Sequence, residues 1–290
     1  MLGPSQPPQG GAPENTPPSE SPSPFAPPSP FAPPSPFAPP SRAVLALVQE
    51  AIERFALIVP GDRVAVGLSG GKDSWLLWST LRALQQSGAI DCELTAVHLD
   101  QHQPGYDRGT FERACAAFDC DCQIASEDTW SKVEARLKPG QLPCSICSRM
   151  RRGVLNRFCE ERGYTKLALG HHLQDAIETL LMNLLFGRRL EPMTPIRRGE
   201  RTPVATIRPL LLVDEAKVIG WVGQHDVPVV PCPVCDSQAD AHRADIGRWL
   251  DGLRARQPML DDAFRAAIYR SDVPEKLGLL ALFGADPTVP

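Results

Sequence analysis

An apolar run, VAVGL at Val64 to Leu68, leads directly into SGGKDS at Ser69 to Ser74, which gathers hydroxyls, glycines, a cation and a carboxylate in consecutive positions. Gly70 and Gly71 let backbone amides approach an anion, and a helix beginning near Ser74 adds the partial positive charge of its N-terminus. Lys72 can neutralise phosphate, Asp73 can hold a divalent cation against it, and Ser69 and Ser74 place hydroxyls at the loop edges. A solvated Gly-rich turn would account for the two glycines but not for the whole set. The segment reads as a phosphate cradle. It is not a Walker A loop, because GxxxxGKS/T is absent and Asp73 stands where that motif has Ser or Thr.

Two C-x-x-C pairs form the second chemical feature, Cys144 with Cys147 and Cys232 with Cys235. Such spacing can aim two sulfurs at one metal, and two pairs can supply four thiolates. Spacing alone makes structural zinc the default, with unliganded thiols or a redox disulfide as alternatives. Cys92, Cys115, Cys120, Cys122 and Cys159 have no such partner spacing and read as small buried hydrophobes.

A third group follows a strand candidate at Lys166 to Gly170. Gly170-His171-His172 ends the strand, and Asp175 and Glu178 follow three positions apart on one face of the next helix. Open parallel sheets collect ligands outside the carboxyl ends of their strands, so Asp175 is placed to share a magnesium ion with Asp73, while His171 and His172 reach phosphate or substrate. Helix-capping carboxylates and surface histidines are the bland alternative. Asp100, at the end of another strand, is expected beside the same pocket. Arg149, Arg151, Arg152 and Arg157 follow the first cysteine pair, Arg188, Arg189, Arg197, Arg198 and Arg201 line a Gly/Pro-rich loop, and Arg208 ends IRPL. Guanidinium stripes of this kind suit phosphodiesters.

The elements that must position these residues are legible in the text around them. Residues 1–41 hold 16 of the 31 prolines, no Lys or Arg, and three copies of SPFAPP beginning at Ser23, Ser29 and Ser35. Without amide donors this tail is expected as disordered polyproline II. Short apolar strands then alternate with helices of ten or more residues: a helix from Ala43, strands at Val64 to Leu68, Leu94 to Asp100, Cys122 to Ser126 and Lys166 to Gly170, and helices at Ser74 to Gln86, near Phe111 to Phe118, around Arg149 to Glu161 and at Asp175 to Phe186. This pattern predicts an α/β fold, an open, mostly parallel, doubly wound sheet with helices on both faces. The core domain is expected at residues 42–254, followed by a small helical extension at 255–290. A formal net charge of -4 excludes a globally basic coat for nucleic acid, and no apolar run reaches membrane-spanning length. The start has neither a basic n-region nor an apolar h-region, so a cytoplasmic, reducing setting is expected.

SGGKDS behind its strand resembles the PP-loop of the ATP pyrophosphatase superfamily. Downstream, LDQHQPGYD, CSICSRMRRG, GHHLQDAIETLLMN, IRPL and PCPVCDSQ together resemble the tRNA 2-thiocytidine synthetase family, over about Arg42 to Trp249. The resemblance implies ATP and Mg2+ at Ser69, Gly70, Gly71, Lys72, Asp73, Ser74, Asp100, Gly170 and His171, and adenylation of a base with Lys72, Asp73 and Asp175 in the catalytic set. It implies a 4Fe-4S cluster held by Cys144, Cys147 and Cys232, with one iron open and Cys235 a nearby non-ligand. It further implies tRNA as substrate and a sulfur donor such as a cysteine desulfurase, and it leaves a homodimer open. Leu173 and Gln174 stand where the family usually has Arg and Asp. Alternatives are a lysidine enzyme of the same superfamily, against which the two cysteine pairs count, a 2-thiouridine enzyme, whose flanking zinc fingers would need further cysteine pairs near the termini, and a nucleotide- and metal-binding RNA adaptor without catalysis.

Overall fold

The computed structural model describes residues 40–138, 142–199, 202–225 and 241–270, with the single positions 3, 140, 227, 229 and 230. The Pro-rich repeats, Arg201, Cys232, Cys235 and residues 271–290 lie outside the described residues.

Ser41 caps α1 (Arg42–Arg54) by accepting from the Val44 amide, and Val44, Val48, Ala51 and Ile52 form its buried stripe. The chain then runs through β1 (Asp62–Gly67), α2 (Lys72–Gln86), β2 (Cys92–Asp100), α3 (Arg108–Ala117), β3 (Cys122–Ser126), α4 (Trp130–Glu134), α5 (Cys144–Glu161), β4 (Lys166–Ala168), α6 (Leu173–Leu185), β5 (Ile196–Arg198), β6 (Ala205–Ile207), a 3-10 turn (Pro209–Leu212), α7 (Glu215–His225), α8 (Ala241–Arg254) and α9 (Leu260–Arg265). The strands form one six-stranded sheet in the order β3-β2-β1-β4-β6-β5, and only the β5–β6 pair is antiparallel.

The pleat sorts the sheet's side chains into two cores. Val64, Val66, Ala96, Ala168 and Ile207 face the layer containing α1, α2, α3, α6 and α7, whereas Ala65, Val97, Leu99 and Leu167 face α5 through Val154, Leu155, Phe158 and Cys159. Val64, Ala65 and Val66 are therefore buried on both faces, as a central parallel strand requires. The expected doubly wound sheet is present. Ile268 and Tyr269, beyond α9, are buried in the larger core, and Arg265 donates to the Leu212 carbonyl at 2.9 Å and pairs with Asp214.

Three local expectations are corrected. The helix expected around Arg149 to Glu161 begins at Cys144, so the first cysteine pair sits on its opening turn. Arg197 and Arg198 belong to β5, not to a loop. Cys92 and Cys122 are only half-buried.

The strand order reverses direction between β1 and β4, and the carboxyl ends of these two neighbours define the switch point where ligands gather in open sheets. A Cβ on Gly170 would lie 2.9 Å from the carbonyl carbon of Asp73 and 3.1 Å from the Ser74 nitrogen, both backbone atoms. Gly170→Ala should therefore cost about 1–3 kcal/mol through overpacking and weaken ATP binding, read by urea denaturation and nucleotide titration. Unchanged stability and affinity would show that the two strand ends can separate freely.

Candidate active site

The loop after β1 is closed by its own hydroxyls. Ser74 Oγ donates to the Gly71 carbonyl at 2.8 Å and accepts from the Ser69 amide and the Ser69 hydroxyl, each at 3.1 Å. Gly70 takes φ +85°, a left-handed conformation suited to glycine, and a Cβ there would meet Val230 Cβ at 2.9 Å. The Val230 amide donates to the Gly70 carbonyl at 3.0 Å, so the chain sets off toward Cys232 from a residue tied to this loop. α2 starts at Lys72 and offers its first-turn amides to an anion.

Charged groups from four elements meet beside the loop. Lys72 Nζ lies 2.8 Å from Asp73 Oδ1 and 3.1 Å from Glu215 Oε1. Burial alone would lower the Lys72 pKa, but its bonds and attraction to Asp73 and Glu215 outweigh that and raise it. His172 is buried, with Nε2 3.5 Å from Asp73 Oδ1 and 3.7 Å from Asp175 Oδ2, and its amide donates to Asp175. Arg243 on α8 reaches Asp175 at 3.4 Å and Glu178 at 3.6 Å. Burial raises the Glu178 pKa, Arg243 opposing it. Glu215 and Arg243 escaped the sequence reading. Glu215 had one usable signal, an acidic pair with Asp214 opening a helix after IRPL.

Two of these groups, Asp73 and Asp175, line a cleft of about 370 Å³, a volume suited to a small-molecule ligand. Ser69, Gly71, Asp73, Ser74, Gly170, His171 and Asp175 line it on the sheet side, Gln101, Gln103 and Tyr106 come from the segment after β2, and Ser148, Arg151 and Arg152 come from α5. Lys72 and Asp100 are not among the lining residues. Lys72 faces its two carboxylates, and Asp100 accepts from the His102 amide at 2.9 Å.

His98 anchors the wall behind the loop. Its Nδ1 is 2.8 Å from the Leu68 carbonyl, which only accepts, so Nδ1 carries the proton and Nε2 accepts from the Tyr106 hydroxyl at 2.6 Å. The ring stacks on Phe111 with centroids 3.8 Å apart.

The arginines divide into two kinds. Burial lowers the Arg152 pKa, and the charges acting on it are Arg197, Arg151 and Arg149, all of the same sign, which makes an anion-seeking cluster. Arg208 is buried, donates to the Thr194 carbonyl at 2.6 Å, and is pushed down to about 10 chiefly by burial. Arg157 and Arg189 are instead paired with Glu127 and Glu191.

Cys147 is buried at the cleft edge, its sulfur 3.5 Å from Gln101 Oε1 and 3.7 Å from Gln103 Nε2, while Cys144 is half-buried one turn earlier. Two thiols on one helical turn, beside amides that also line the cleft, suit a thiolate-held metal centre. The remaining family-matched ligand, Cys232, lies outside the described residues. No group of three or more His, Cys, Asp or Glu side chains among the described residues is gathered closely enough to hold a metal ion by itself. Asp73 and Asp175 suit Mg2+ in the manner of one or two carboxylates completed by substrate phosphates. Leu173 is fully buried with its amide on the Val213 carbonyl, and Gln174 is buried as well, so position 173 is a core position. The cation on this side of the site comes from Arg243.

A PP-loop domain family matches residues 44–232. A tRNA-cytidine(32) 2-sulfurtransferase of Deinococcus radiodurans is 41% identical over 215 residues, 74% of this chain and 72% of the relative. This chain belongs to the tRNA-cytidine(32) 2-sulfurtransferase family of PP-loop proteins. Members from Neisseria meningitidis and Xanthomonas campestris are 39% and 38% identical, each match covering 84% of this chain and 76% and 83% of theirs. The fold is shared with a U34-tRNA thiolase from Methanococcus maripaludis solved with its 4Fe-4S cluster, at a TM-score of 0.61 and 23% identity over 77% of this chain and 76% of that one. No helix among the described residues is long and apolar enough to cross a membrane.

His171 marks the sulfurtransferase cleft as a place that keeps an imidazole neutral. Its pKa is lowered to about 4, first by burial and then by Arg208, Arg151 and Arg152, with Asp175 opposing. An unfolded chain takes up this proton near pH 6.5, so the contribution to stability is complete above about 6.5 and is lost as the pH falls toward 4. His171→Asn should flatten the acid limb of the stability curve, by up to about 1.4 kcal/mol per pH unit, in urea titrations between pH 7 and 5. Parallel acid limbs in the two proteins would contradict the burial of this imidazole.

Proposed function

We propose that this chain is an ATP-dependent tRNA sulfurtransferase that converts a cytidine of the anticodon loop, position 32 by its relatives' names, to 2-thiocytidine through an adenylated base. The observation that carries the reading is that α5, the helix bearing Cys144 and Cys147, lines the same cleft as the phosphate loop. ATP activation and sulfur delivery then act on one site.

The C2 carbonyl of cytosine is a poor electrophile without a leaving group. Attack of its oxygen on the α-phosphorus of ATP releases pyrophosphate and turns that oxygen into part of a good leaving group. Lys72 and the first-turn amides of α2 stabilise the charge that develops on the phosphates, and Asp73 and Asp175 would hold a Mg2+ ion, which when bound supplies further positive charge there. Glu215 holds the Lys72 ammonium beside the loop, and Arg243 holds Asp175. Sulfide, freed from the persulfide of a donor such as a cysteine desulfurase by a thiol reductant that supplies two electrons, then adds at C2, and AMP departs as the C2–O bond breaks. Cys144, Cys147 and Cys232 would hold the 4Fe-4S cluster, which when bound supplies an iron site for a sulfur species. Arg151 and Arg152 bind RNA phosphodiesters, and the Tyr106 ring offers a face on which an unstacked base can rest. Neutral His171 can hydrogen-bond to base or phosphate without adding charge. Asp73 and Asp175 in the cleft wall, with Lys72 held on Asp73 beside it, favour catalysis over an RNA adaptor.

Nucleoside mass analysis of tRNA from cells lacking the gene, and then regaining it, tests this reading. The wild-type gene should restore 2-thiocytidine, and Lys72→Ala should lower its rate of formation by about 10²-fold or more. Cys144→Ala, Cys147→Ala and Cys232→Ala should abolish it, whereas Cys235→Ala should retain it. Wild-type yield from Lys72→Ala would overturn the role of the loop. Equal loss on replacing Cys235 would overturn the three-thiol scheme, and a thiolated uridine would overturn the substrate.

A further inference from the structure

Away from the cleft, the turn from α3 into β3 carries three cysteines, Cys115, Cys120 and Cys122. Asp119 adopts a left-handed φ of +46° and donates its amide to the Ala116 carbonyl at 3.1 Å, and the Cys120 amide donates to the Cys115 carbonyl at 2.9 Å. This pair of bonds is a Schellman ending, in which the two residues joined by the longer-range bond also bring their side chains together. Here both are cysteines. Cys122 opens β3 two positions later, on the same side of the extended chain as Cys120. The Cys115 thiol interacts electrostatically with those of both Cys120 and Cys122.

The environment sets these thiols apart from inert core cysteines. Bonds from Cys120 and then Cys122, against the opposing effect of burial, hold the Cys115 thiol below its ordinary range, while the same bonds raise its two partners. Cys115 and Cys120 are buried and Cys122 is half-buried, and all three are reduced in the structure. Cys159, by contrast, is buried with its pKa pushed up to about 12, mainly by burial. A nucleophilic thiolate with a second thiol held against it is the arrangement that reacts with peroxides.

We propose that Cys115, Cys120 and Cys122 form a thiol–disulfide site, distinct from the two C-x-x-C pairs, in which a peroxide converts Cys115 and Cys120 to a disulfide. The Cys115 thiolate attacks one peroxide oxygen, breaking the O–O bond and leaving a sulfenic acid and, after protonation, one water. The Cys120 sulfur then attacks that of Cys115. The S–O bond breaks, the S–S bond forms, and a second water leaves with the Cys120 proton. Two thiols have lost two electrons, and hydrogen peroxide has been reduced to two waters. Cys120 rather than Cys122 is the partner because the backbone bond ties its Cα close to that of Cys115, as disulfide geometry needs. The site adjoins the phosphate loop through Phe118, which stacks on Trp75 of α2 with centroids 4.5 Å apart, and through His98 on the Leu68 carbonyl.

The test uses the full-length protein, treated with hydrogen peroxide, unfolded, alkylated and digested with a protease that cleaves before aspartate. Cleavage at Asp119 and Asp121 places the three cysteines on different peptides. The Cys115 and Cys120 peptides should appear joined and lighter than their sum by two hydrogens, with Cys122 and Cys159 alkylated. The Cys122→Ser variant should keep the link, and the Cys120→Ser variant should lose it while Cys115 accumulates as sulfenic acid trapped by dimedone. Native circular dichroism beforehand confirms that each variant is folded. All three cysteines recovered alkylated under conditions that oxidise Cys92, or a link from Cys115 to Cys122 in place of Cys120, would overturn the proposal.

Discussion

Where β1 and β4 run out side by side, the backbone of Gly170 rests against the backbone of Asp73 and Ser74 with no room for a methyl group between them. That contact is a consequence of topology, because the sheet grows from β1 to β2 and β3 on one side and from β4 to β6 and β5 on the other. The phosphate loop follows the first of these strands and the Gly-His-His segment follows the second. Each is therefore delivered to one point, and Asp73, His172 and Asp175 come within ion-pair distance of one another through His172 although a hundred residues separate the two segments in sequence. Glu215 and Arg243 are added by later helices to the same charged group.

The cleft above that contact has two chemically different sides. Its floor offers hydroxyls, first-turn amides and carboxylates, which suit a magnesium-bound polyphosphate. Its α5 wall offers Arg151 and Arg152, whose neighbours repel rather than neutralise them, and it carries Cys144 and Cys147 on the same helix. In the proposed mechanism the wall therefore takes nucleic-acid phosphate and sulfur chemistry, and the floor takes the nucleotide. Val230 packs on the floor, its amide donating to the Gly70 carbonyl.

Much of this was legible in the residues because the strands that build the switch point are short, apolar and followed by glycine. VAVGL and KLALG, buried on both faces, could hardly be surface helices, and the alternation of strand and helix implied the parallel sheet. Other features had no local signal. The start of α5 is polar, CSICSRMRR, and lacks the periodic apolar stripe that reveals a helix, so the residues alone place that helix only from around Arg149. β5 and β6 are three residues each and are strands only because each pairs with its neighbour. Arg243 acquires its role from the packing of α8 against α6, and the meeting of Cys115 with Cys120 depends on the left-handed Asp119, neither of which spacing alone reveals.

The account stands or falls on the base oxygen attacking ATP at the α-phosphorus in this cleft. Oxygen-18 placed at C2 of the target cytidine in an anticodon stem-loop follows that oxygen directly during a single turnover with ATP and a sulfur donor. The mechanism predicts that AMP leaves carrying the label on its phosphate, with unlabelled pyrophosphate formed in equal amount. Thiolated product accompanied by unlabelled AMP, or by ADP and phosphate, would contradict it.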